Sequence, residues 1–362
     1  FLNQNDCKEK QIYVVDEASM VGSKQMKELI EKAKETNSKI VLIGDTKQFQ
    51  TLSAGGIFEQ LQKDDVMQTS IMSESKRANT EIMKSLYKDI KNKDIEKAFE
   101  TLEKNELIKE STDLNEVKEE YLKDKDNTLL IASKNSDKNY LNEAIRNDLK
   151  SNFSNEKAFE IRESLNLNET EKHFAKYYKE KELIFVQKAF KGLKAGSEAV
   201  IESVNQDRNT ITIKSKDKEI EIDLKEHGEK IASFQVKSKE FAEGEQVVFT
   251  KNDKKLNIKN GQIATIEKIE KNEITFKRGD ESLKIDSKKF NYFDYGYAIT
   301  DYKSQGQTAS KVIAVANSDM ANTNSLYVQV TRAKDEVKIF TNDLEKFKEN
   351  SLNSQIKTST LD

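Results

Sequence analysis

Short apolar runs alternate with amphipathic stretches through the first 150 residues of the chain. IYVV at 12–15, KIVLIG at 39–44 and TLLIAS at 128–133 are typical of strands that are buried in a parallel sheet. The segment 22–35 has apolar residues at helical spacing, and 81–90, 94–104 and 138–149 have the same pattern. Strands and helices that alternate at these distances predict an α/β fold with parallel strands.

A different pattern begins near residue 183, where apolar and polar residues alternate at every second position. Seven such runs follow at intervals of about ten residues up to residue 289, separated by turn-forming Asn, Asp and Gly. This pattern predicts a small β-barrel or meander that is inserted into the α/β body. Apolar runs at 311–316 and 336–341 then predict strands that return to that body, before a short helix and a polar end.

These changes of pattern divide the chain into four parts. We expect a first α/β domain at 1–71, a second α/β domain made of 72–182 and 290–345, a β-rich insertion at 183–289, and a polar tail at 346–362. A length of 362 residues is compatible with two or three domains.

Composition narrows the class of protein. No stretch approaches the ~18 apolar residues of a membrane span, so we expect no membrane insertion. A single cysteine excludes a disulfide framework and favours a cytoplasmic protein. A net charge of −3 gives no global signature of nucleic-acid binding. Lysine outnumbers arginine 55 to 6, so the few arginines mark candidate sites for a planar, bidentate cation.

Two strand ends carry candidate chemistry in the first predicted domain. VVDEASMV at 14–21 places Asp16 and Glu17 at the carboxyl edge of a sheet, where α/β proteins bind ligands. In a nucleotide-hydrolysing motor, Asp16 would hold Mg²⁺ and Glu17 would polarise the attacking water. In IGDTKQ at 43–48, Asp45 is followed by Gln48, an uncharged group suited to sensing a phosphate. Helix capping and an ordinary strand–turn–helix are the alternative interpretations.

Three further motifs contain arginine or small polar residues. Arg77 lies in SESKRAN at 73–79, and Arg332 lies in YVQVTRAK at 327–334, where it could act as an arginine finger. YAITDYKSQGQT at 297–308 offers side chains that suit contacts with DNA phosphates. These side chains are Thr300, Lys303, Ser304 and Gln305. A solvated arginine and a helix start rich in capping residues are the alternatives.

The order of the motifs resembles that of superfamily 1B DNA helicases. Asp-Glu, Gly-Asp-x-x-Gln, a lone Arg, Lys-Ser-Gln-Gly and Thr-Arg-Ala follow one another as in the RecD-like motor of conjugative relaxase-helicases of the TraI/TraA type. The segments 163–184, 243–269 and 294–308 also resemble that family. The resemblance implies tandem RecA-like P-loop NTPase domains with an SH3-like β-insertion, ATP and Mg²⁺ as cofactors, single-stranded DNA as partner, and 5′→3′ movement.

The resemblance also implies a role for each motif residue. Asp16 and Glu17 match the Walker B pair, and Asp45 and Gln48 match motif III, which couples phosphate state to DNA grip. Arg77 and Arg332 match the arginines directed at the γ-phosphate. A last set of residues matches motif V and the motif next to it, which contact single-stranded DNA and the nucleotide in the family. This set consists of Thr300, Lys303, Gln305 and Gly306.

The sequence departs from the family pattern at several places. No G-x-x-x-x-G-K-[ST] loop occurs in the 362 residues, so we expect this first RecA-like domain to be truncated and the chain to have no useful ATP affinity by itself. Phe49 stands where the family usually has Leu, and Tyr302 stands where it often has His. Ala78 stands where the family usually has Gln. An upstream phosphate loop would support a motor, and an upstream relaxase region would support a role with the conjugation machinery. A RecD-type repair helicase and a non-catalytic remnant that binds single-stranded DNA are the alternatives.

Overall fold

The computed structural model describes residues 9–49, 56–64, 66–72, 76–165, 167–168, 170–215 and 218–354. The chain forms two compact units, one made of residues 1–145 and 298–362 and the other of residues 146–297. Residues 1–8 of the predicted first domain, its residues 50–55, and residues 355–362 of the predicted tail lie outside the described residues. In the part of the chain that is described, no helix is both long and apolar enough to cross a bilayer.

The first unit contains strands and helices in alternation. Its N-terminal elements are β1 (Ile12–Val15), α1 (Ser23–Glu35), β2 (Lys39–Leu42), α2 (Ile57–Lys63), α3 (Glu81–Lys91), α4 (Ile95–Lys104), β3 (Ile108–Glu110), α5 (Leu114–Leu122), β4 (Thr128–Ala132) and α6 (Asn135–Leu149), whose last turn belongs to the second unit. The second unit contains β5 (Ser154–Ser164), β6 (Leu183–Val186), β7 (Glu198–Asn205), β8 (Thr210–Ser215), β9 (Lys218–Asp223), α7 (Leu224–His227), β10 (Ile231–Glu243), β11 (Gln246–Phe249), β12 (Ile263–Glu270), β13 (Glu273–Arg278), β14 (Glu281–Asp286) and β15 (Phe293–Tyr295). The chain then returns to the first unit with β16 (Ala298–Thr300), β17 (Ala309–Ala316), α8 (Thr323–Thr331), β18 (Ala333–Thr341) and α9 (Leu344–Ser351).

The main sheet of the first unit is parallel and has the strand order β16-β4-β17-β18-β3. Its central strands are apolar on both faces, and Leu130 and Ile131 of β4 are fully buried. Helices cover the sheet, which explains why its strands appear in the sequence as continuous apolar runs. The parallel α/β prediction is therefore confirmed for this unit.

A separate two-stranded parallel sheet is formed by β1 and β2. Gly44 follows β2 and allows the two strand ends to approach, because a Cβ there would lie 3.0 Å from the Ala18 nitrogen. The apolar run at 12–15 forms the expected parallel strand, but its expected burial is wrong, since Ile12 and Val14 are 63% and 61% exposed. One face of the pair is uncovered, whereas a parallel strand is normally covered on both faces.

The second unit consists of two antiparallel sheets, ordered β5-β10-β6-β7-β8-β9 and β14-β13-β12-β11-β15. All seven strands predicted from the alternating pattern are present, as β7, β8, β9, β11, β12, β13 and β14. Two long strands, β5 and β10, are not predicted from the sequence, because charged side chains interrupt the alternation of apolar and polar residues. Cross-strand pairing compensates those charges, as between Lys237 and Glu163 at 2.5 Å.

The border of this unit lies at residues 146 and 297, outside the predicted insertion at 183–289. The difference arises because β5 pairs with β10 along its whole length and so belongs to the β-rich unit. The SH3-like assignment of the insertion and the RecA-like assignment of the α/β parts remain predictions. The short helix expected after Asn342 is confirmed as α9.

Candidate nucleotide site

The predicted acidic pair lies at the carboxyl end of β1. The Glu17 backbone N–H donates to Asp16 Oδ1 over 3.0 Å, and the Ala18 N–H donates to the Ile43 carbonyl over 2.8 Å. Glu17 has a φ of 52°, a left-handed conformation that costs energy for a residue other than glycine. Burial raises the pKa of the Glu17 carboxyl, and the charge of Asp16 raises it further. Both carboxylates are therefore held side by side at the sheet edge.

The loop after β2 is tied to helix α8. Asp45 accepts a hydrogen bond from the Lys47 N–H over 3.0 Å and another from the Tyr327 hydroxyl over 2.9 Å. Asn324 Nδ2 donates to the carbonyls of Lys47 and Gln48, each over 3.0 Å. The Gln48 Nε2 lies 3.4 Å from Asp45, and its buried Oε1 has no partner among the described residues. Gln48 thus retains a hydrogen-bond acceptor that this loop does not use.

Arg332 follows α8 and is among the largest fully buried side chains, with 1% of its surface exposed. Its guanidinium donates to the Val328 carbonyl over 3.3 Å, the Gln307 carbonyl over 3.4 Å and the Thr331 hydroxyl over 3.2 Å. Within the described residues, no carboxylate forms an ion pair with it. Burial, together with the positive charge of Arg77, lowers the pKa of Arg332 to about 10. A buried cation without a counter-ion is costly unless an anion binds beside it.

Arg77 lies next to Arg332 in the same unit. Its Nη1 donates to the Thr331 carbonyl over 2.7 Å, at the end of α8. The charges of Arg332 and Arg77 both lower the pKa of the Glu17 carboxyl and so oppose the effect of its burial. The structure therefore brings three of the predicted catalytic residues into one electrostatic environment, and Asp45 acts on Glu17 there as well.

The turn after β16 holds the residues predicted to contact DNA. The Ser304 N–H donates to the Thr300 carbonyl over 3.0 Å, and its hydroxyl donates to the Asp301 carbonyl over 2.7 Å. Ser304 is fully buried, so its side chain supports the turn from inside. Gly306 has a φ of 77°, which favours glycine, and it is exposed at the tip of the turn.

Two other residues of this turn have different surroundings. Gln305 has both side-chain amide atoms buried and without a partner in the described part of the chain. Lys303 is partly exposed, and its carbonyl accepts a hydrogen bond from Gln307 Nε2 over 3.3 Å. An amide with unused donors and acceptors costs free energy unless a ligand satisfies it.

Sequence reasoning missed a buried carboxylate beside this turn. Asp301 accepts a hydrogen bond from the Ser133 hydroxyl over 2.8 Å and one from Gln329 Nε2 over 2.9 Å. Burial raises the pKa of this carboxyl, although both hydrogen bonds act in the opposite direction. The available signal was an acid directly after the apolar strand β16. Tyr327 and Asn324 were also missed, because their partners are more than 270 residues away in the sequence.

Two positions at which the sequence departs from the family pattern contact each other. The ring centroids of Phe49 and Tyr302 are 6.1 Å apart. This aromatic pair joins the loop after β2 to the turn after β16. Phe49 and Tyr302 are larger than the Leu and His of the family pattern, and the two larger side chains pack against each other.

Comparison with known proteins agrees with the order of the motifs. A family model described as an AAA domain matches residues 2–113. The conjugal transfer protein TraA of Rhizobium radiobacter is 24% identical over 336 residues, which cover 92% of this chain and 24% of TraA. The RecBCD enzyme subunit RecD of Buchnera aphidicola is 23% identical over 357 residues, covering 94% of this chain and 55% of RecD. The chain is related to the RecD-like superfamily 1B helicases.

The chain spans about a quarter of the length of the TraA proteins that it matches, since its alignment covers 24% of each. Among solved structures, Bacteroides Pif1 bound to single-stranded DNA superposes with a TM-score of 0.48 at 14% identity. That superposition covers 92% of this chain and 70% of the Pif1 chain.

The residues of this site are compatible with Mg²⁺ and a nucleotide. Among the described residues, no three His, Cys, Asp or Glu side chains form a group that could hold a metal. A metal at Asp16 would therefore take most of its ligands from phosphate and water, as Mg²⁺ does in nucleotide sites. The buried Arg332, whose charge acts on Glu17, offers a cation, and Gln48, which lies beside Asp45, offers an unused acceptor.

Proposed function

We propose that this chain is part of an ATP-driven motor that moves 5′→3′ along single-stranded DNA during conjugative transfer. The observation that carries the proposal is the buried Arg332, which has no carboxylate partner in the described residues and lies within electrostatic range of Glu17. A fold that keeps such a cation needs an anion there, and a γ-phosphate meets this need. TraA is a conjugal transfer protein by name, which favours conjugation over repair.

Each residue of the site has a defined part in this proposal. Asp16 holds Mg²⁺, which when bound neutralises phosphate charge. Glu17 accepts the proton of the attacking water, and its raised pKa makes the carboxylate a better proton acceptor. Arg77 and Arg332 stabilise the charge that develops on the transferred phosphoryl group. Gln48 senses that group through its free oxygen.

The coupling to DNA runs through α8 and the turn after β16. Thr300, Lys303 and Gln305 contact the DNA, while Ser304 supports the turn and Gly306 lets the backbone approach the nucleotide. The hydrogen bond from Tyr327 to Asp45 connects the loop that contains Gln48 to the helix that ends at Arg332. A change of phosphate state at Arg332 therefore has a direct route to that loop.

ATP binding in this proposal requires a phosphate loop that the 362 residues do not contain. The uncovered apolar side chains of β1 support this idea, because the faces of a parallel sheet are normally covered by helices that connect further strands. The chain by itself is then expected to bind DNA without hydrolysing ATP. Measuring the intact mass of the native polypeptide decides whether further sequence is present.

The decisive experiment is DNA-stimulated ATP hydrolysis by the native polypeptide that contains this chain. Glu17→Gln is expected to lower turnover at least 100-fold while DNA affinity stays within two-fold, because the amide cannot accept the water proton. Glu35→Gln, at an exposed position on α1, is the matched control and is expected to retain full activity. Retained turnover in Glu17→Gln would remove Glu17 from the mechanism.

A further inference from the structure

Two of the three exposed aromatic side chains in the described part of the chain lie within one short segment of the second unit. Phe174 is 45% exposed and Tyr177 is 37% exposed, while the third, Tyr140, belongs to the first unit. Lys176 lies between the two rings, with its Nζ 5.8 Å from the Phe174 centroid and 4.9 Å from the Tyr177 centroid. The chain has 28 phenylalanines and tyrosines, so exposure of two neighbours is unusual.

The backbone of this segment is firmly anchored. The Ala175 N–H donates to Asn209 Oδ1 over 2.8 Å, and Asn209 Nδ2 donates to the His173 carbonyl over 2.8 Å. Tyr178 is buried in the core, and its hydroxyl donates to the Lys172 carbonyl over 2.8 Å. The exposed rings therefore project from a fixed support, which reduces the conformational entropy lost on binding.

The charge of the segment matches a polyanion. Residues 172–181 contain four lysines and one glutamate, in a chain whose net charge is −3. A positive strip with aromatic side chains is the combination that binds single-stranded nucleic acid, since phosphates contact the lysines and bases stack on the rings. Neither ring would be favoured at the surface for stability alone, because each leaves apolar area in water.

We propose that Phe174, Lys176 and Tyr177 form a site on which bases of single-stranded DNA stack. This inference rests on the proposed function and adds a contact outside the motor motifs. Lys176 holds the two rings and contacts a phosphate, while each ring receives one base. Stacking on a ring contributes about a 5- to 150-fold gain in affinity, so loss of both rings has a large effect.

The test measures fluorescence anisotropy of labelled oligothymidylate with the full 362-residue chain. The double variant Phe174→Ala/Tyr177→Ala is expected to bind at least ten-fold more weakly than the unaltered chain. Tyr140→Ala, which removes the third exposed ring, is the matched control and is expected to change affinity less than two-fold. Phe174→Tyr/Tyr177→Phe keeps both rings and is expected to restore binding. Equal affinity of the double alanine variant and the unaltered chain overturns the proposal.

A second oligonucleotide separates stacking from charge. An abasic strand of equal length keeps the phosphates but has no bases to stack. The unaltered chain is expected to bind oligothymidylate more tightly than the abasic strand, and this difference is expected to disappear in the double variant. If the variant loses affinity equally for both strands, the rings act only through structure and the stacking proposal fails. If the unaltered chain binds neither strand, the proposed DNA-dependent function fails first.

Crosslinking provides a test that does not depend on the folding of a variant. Irradiating the unaltered chain with DNA that contains 5-iodouracil should attach the strand to a peptide that includes Phe174 or Tyr177. Crosslinks confined to other peptides would contradict the proposal, and so would a tighter complex with duplex DNA than with the single strand.

Discussion

Replacing Arg332 by methionine should stabilise the protein while abolishing its proposed activity. Arg332 is fully buried, and its hydrogen bonds all go to uncharged groups, two carbonyls and a hydroxyl. Methionine has a similar shape and no charge, so the substitution removes the buried cation without leaving a large cavity. Most substitutions at a buried site destabilise, which makes the sign of this expectation informative.

The magnitude follows from the lowered pKa of Arg332. The lowering of this pKa to about 10, relative to a free guanidinium, corresponds to roughly 3 kcal/mol against the charged form, at 1.36 kcal/mol per unit. The lost hydrogen bonds are long and offset about 1–2 kcal/mol. The net expectation is a gain of about 1–2 kcal/mol, or a rise in Tm of about 1–3 °C for a chain of this length. Because the folded pKa lies below the unfolded value, this penalty is fully present below pH 10 and declines only above it.

Arg146 provides a matched control for this prediction. It is also a buried arginine, but it pairs with Glu245, which is fully buried, and with Glu156 at 2.5 Å. Burial opposes the charge of Arg146, yet the field of Glu245 and the hydrogen bond to Glu156 outweigh it and raise its pKa. Arg146→Met strands a buried carboxylate and should destabilise the protein by about 3–5 kcal/mol.

Urea and thermal unfolding followed by circular dichroism at pH 7.5 measure both variants. The expected result is an increase in the urea midpoint for Arg332→Met and a decrease for Arg146→Met. The reasoning is refuted if Arg332→Met loses 2 kcal/mol or more, since the guanidinium would then stabilise the fold. In the native polypeptide, Arg332→Met should lose DNA-stimulated ATP hydrolysis despite its greater stability.

Three further predictions concern other parts of the first unit. Gly44→Ala should lower the free energy of unfolding by about 1–3 kcal/mol, because the added Cβ would lie 3.0 Å from the Ala18 nitrogen. An unchanged midpoint in urea titrations would contradict this close approach. Asp301→Asn should gain stability relative to the unaltered chain as pH rises from 5 to 8. The pKa of Asp301 is raised in the folded state, so the ionised carboxyl disfavours folding most at high pH. The expectation is refuted if the urea midpoints of the variant and the unaltered chain differ by the same amount at pH 5 and at pH 8. Lys303→Ala should weaken binding to single-stranded DNA and reduce the slope of log affinity against log salt by about 1, whereas an unchanged slope would remove Lys303 from the DNA path.

Periodicity predicted most strands and helices because burial imposes it on one or both faces of an element. All seven alternating runs in the β-rich unit form strands. β10 was missed because only its two ends are buried, while the centre of the strand, residues 235–239, is partly or fully exposed and polar except for Val236. A strand held by cross-strand ion pairs and main-chain hydrogen bonds has no apolar period to detect.

The acidic pair, Asp45 and the polar turn after β16 could be found from the sequence because each follows a strand end within a few positions, whereas Arg77 and Arg332 could be found because the chain has only six arginines. Their supporting partners could not, since these contacts depend on how distant segments pack. The Asp45–Tyr327 hydrogen bond joins residues 282 apart, and the Ser133–Asp301 bond joins residues 168 apart. Local order thus identifies the groups that carry chemistry, while tertiary packing decides what holds them in place.

Helix α8 shows why such partners matter. Eight of its nine residues are buried, so it lacks the polar face by which an amphipathic helix is recognised. Its polar side chains point inward to different loops, Asn324 and Tyr327 to the loop after β2 and Gln329 to Asp301, and Arg332 follows at its end. Apolar residues at these positions would stabilise the fold more, because buried polar groups must recover the cost of their desolvation. α8 thus gives up stability to keep three inward polar side chains, with Arg332 directly after them, and these side chains link the loops that the proposed motor would need to couple.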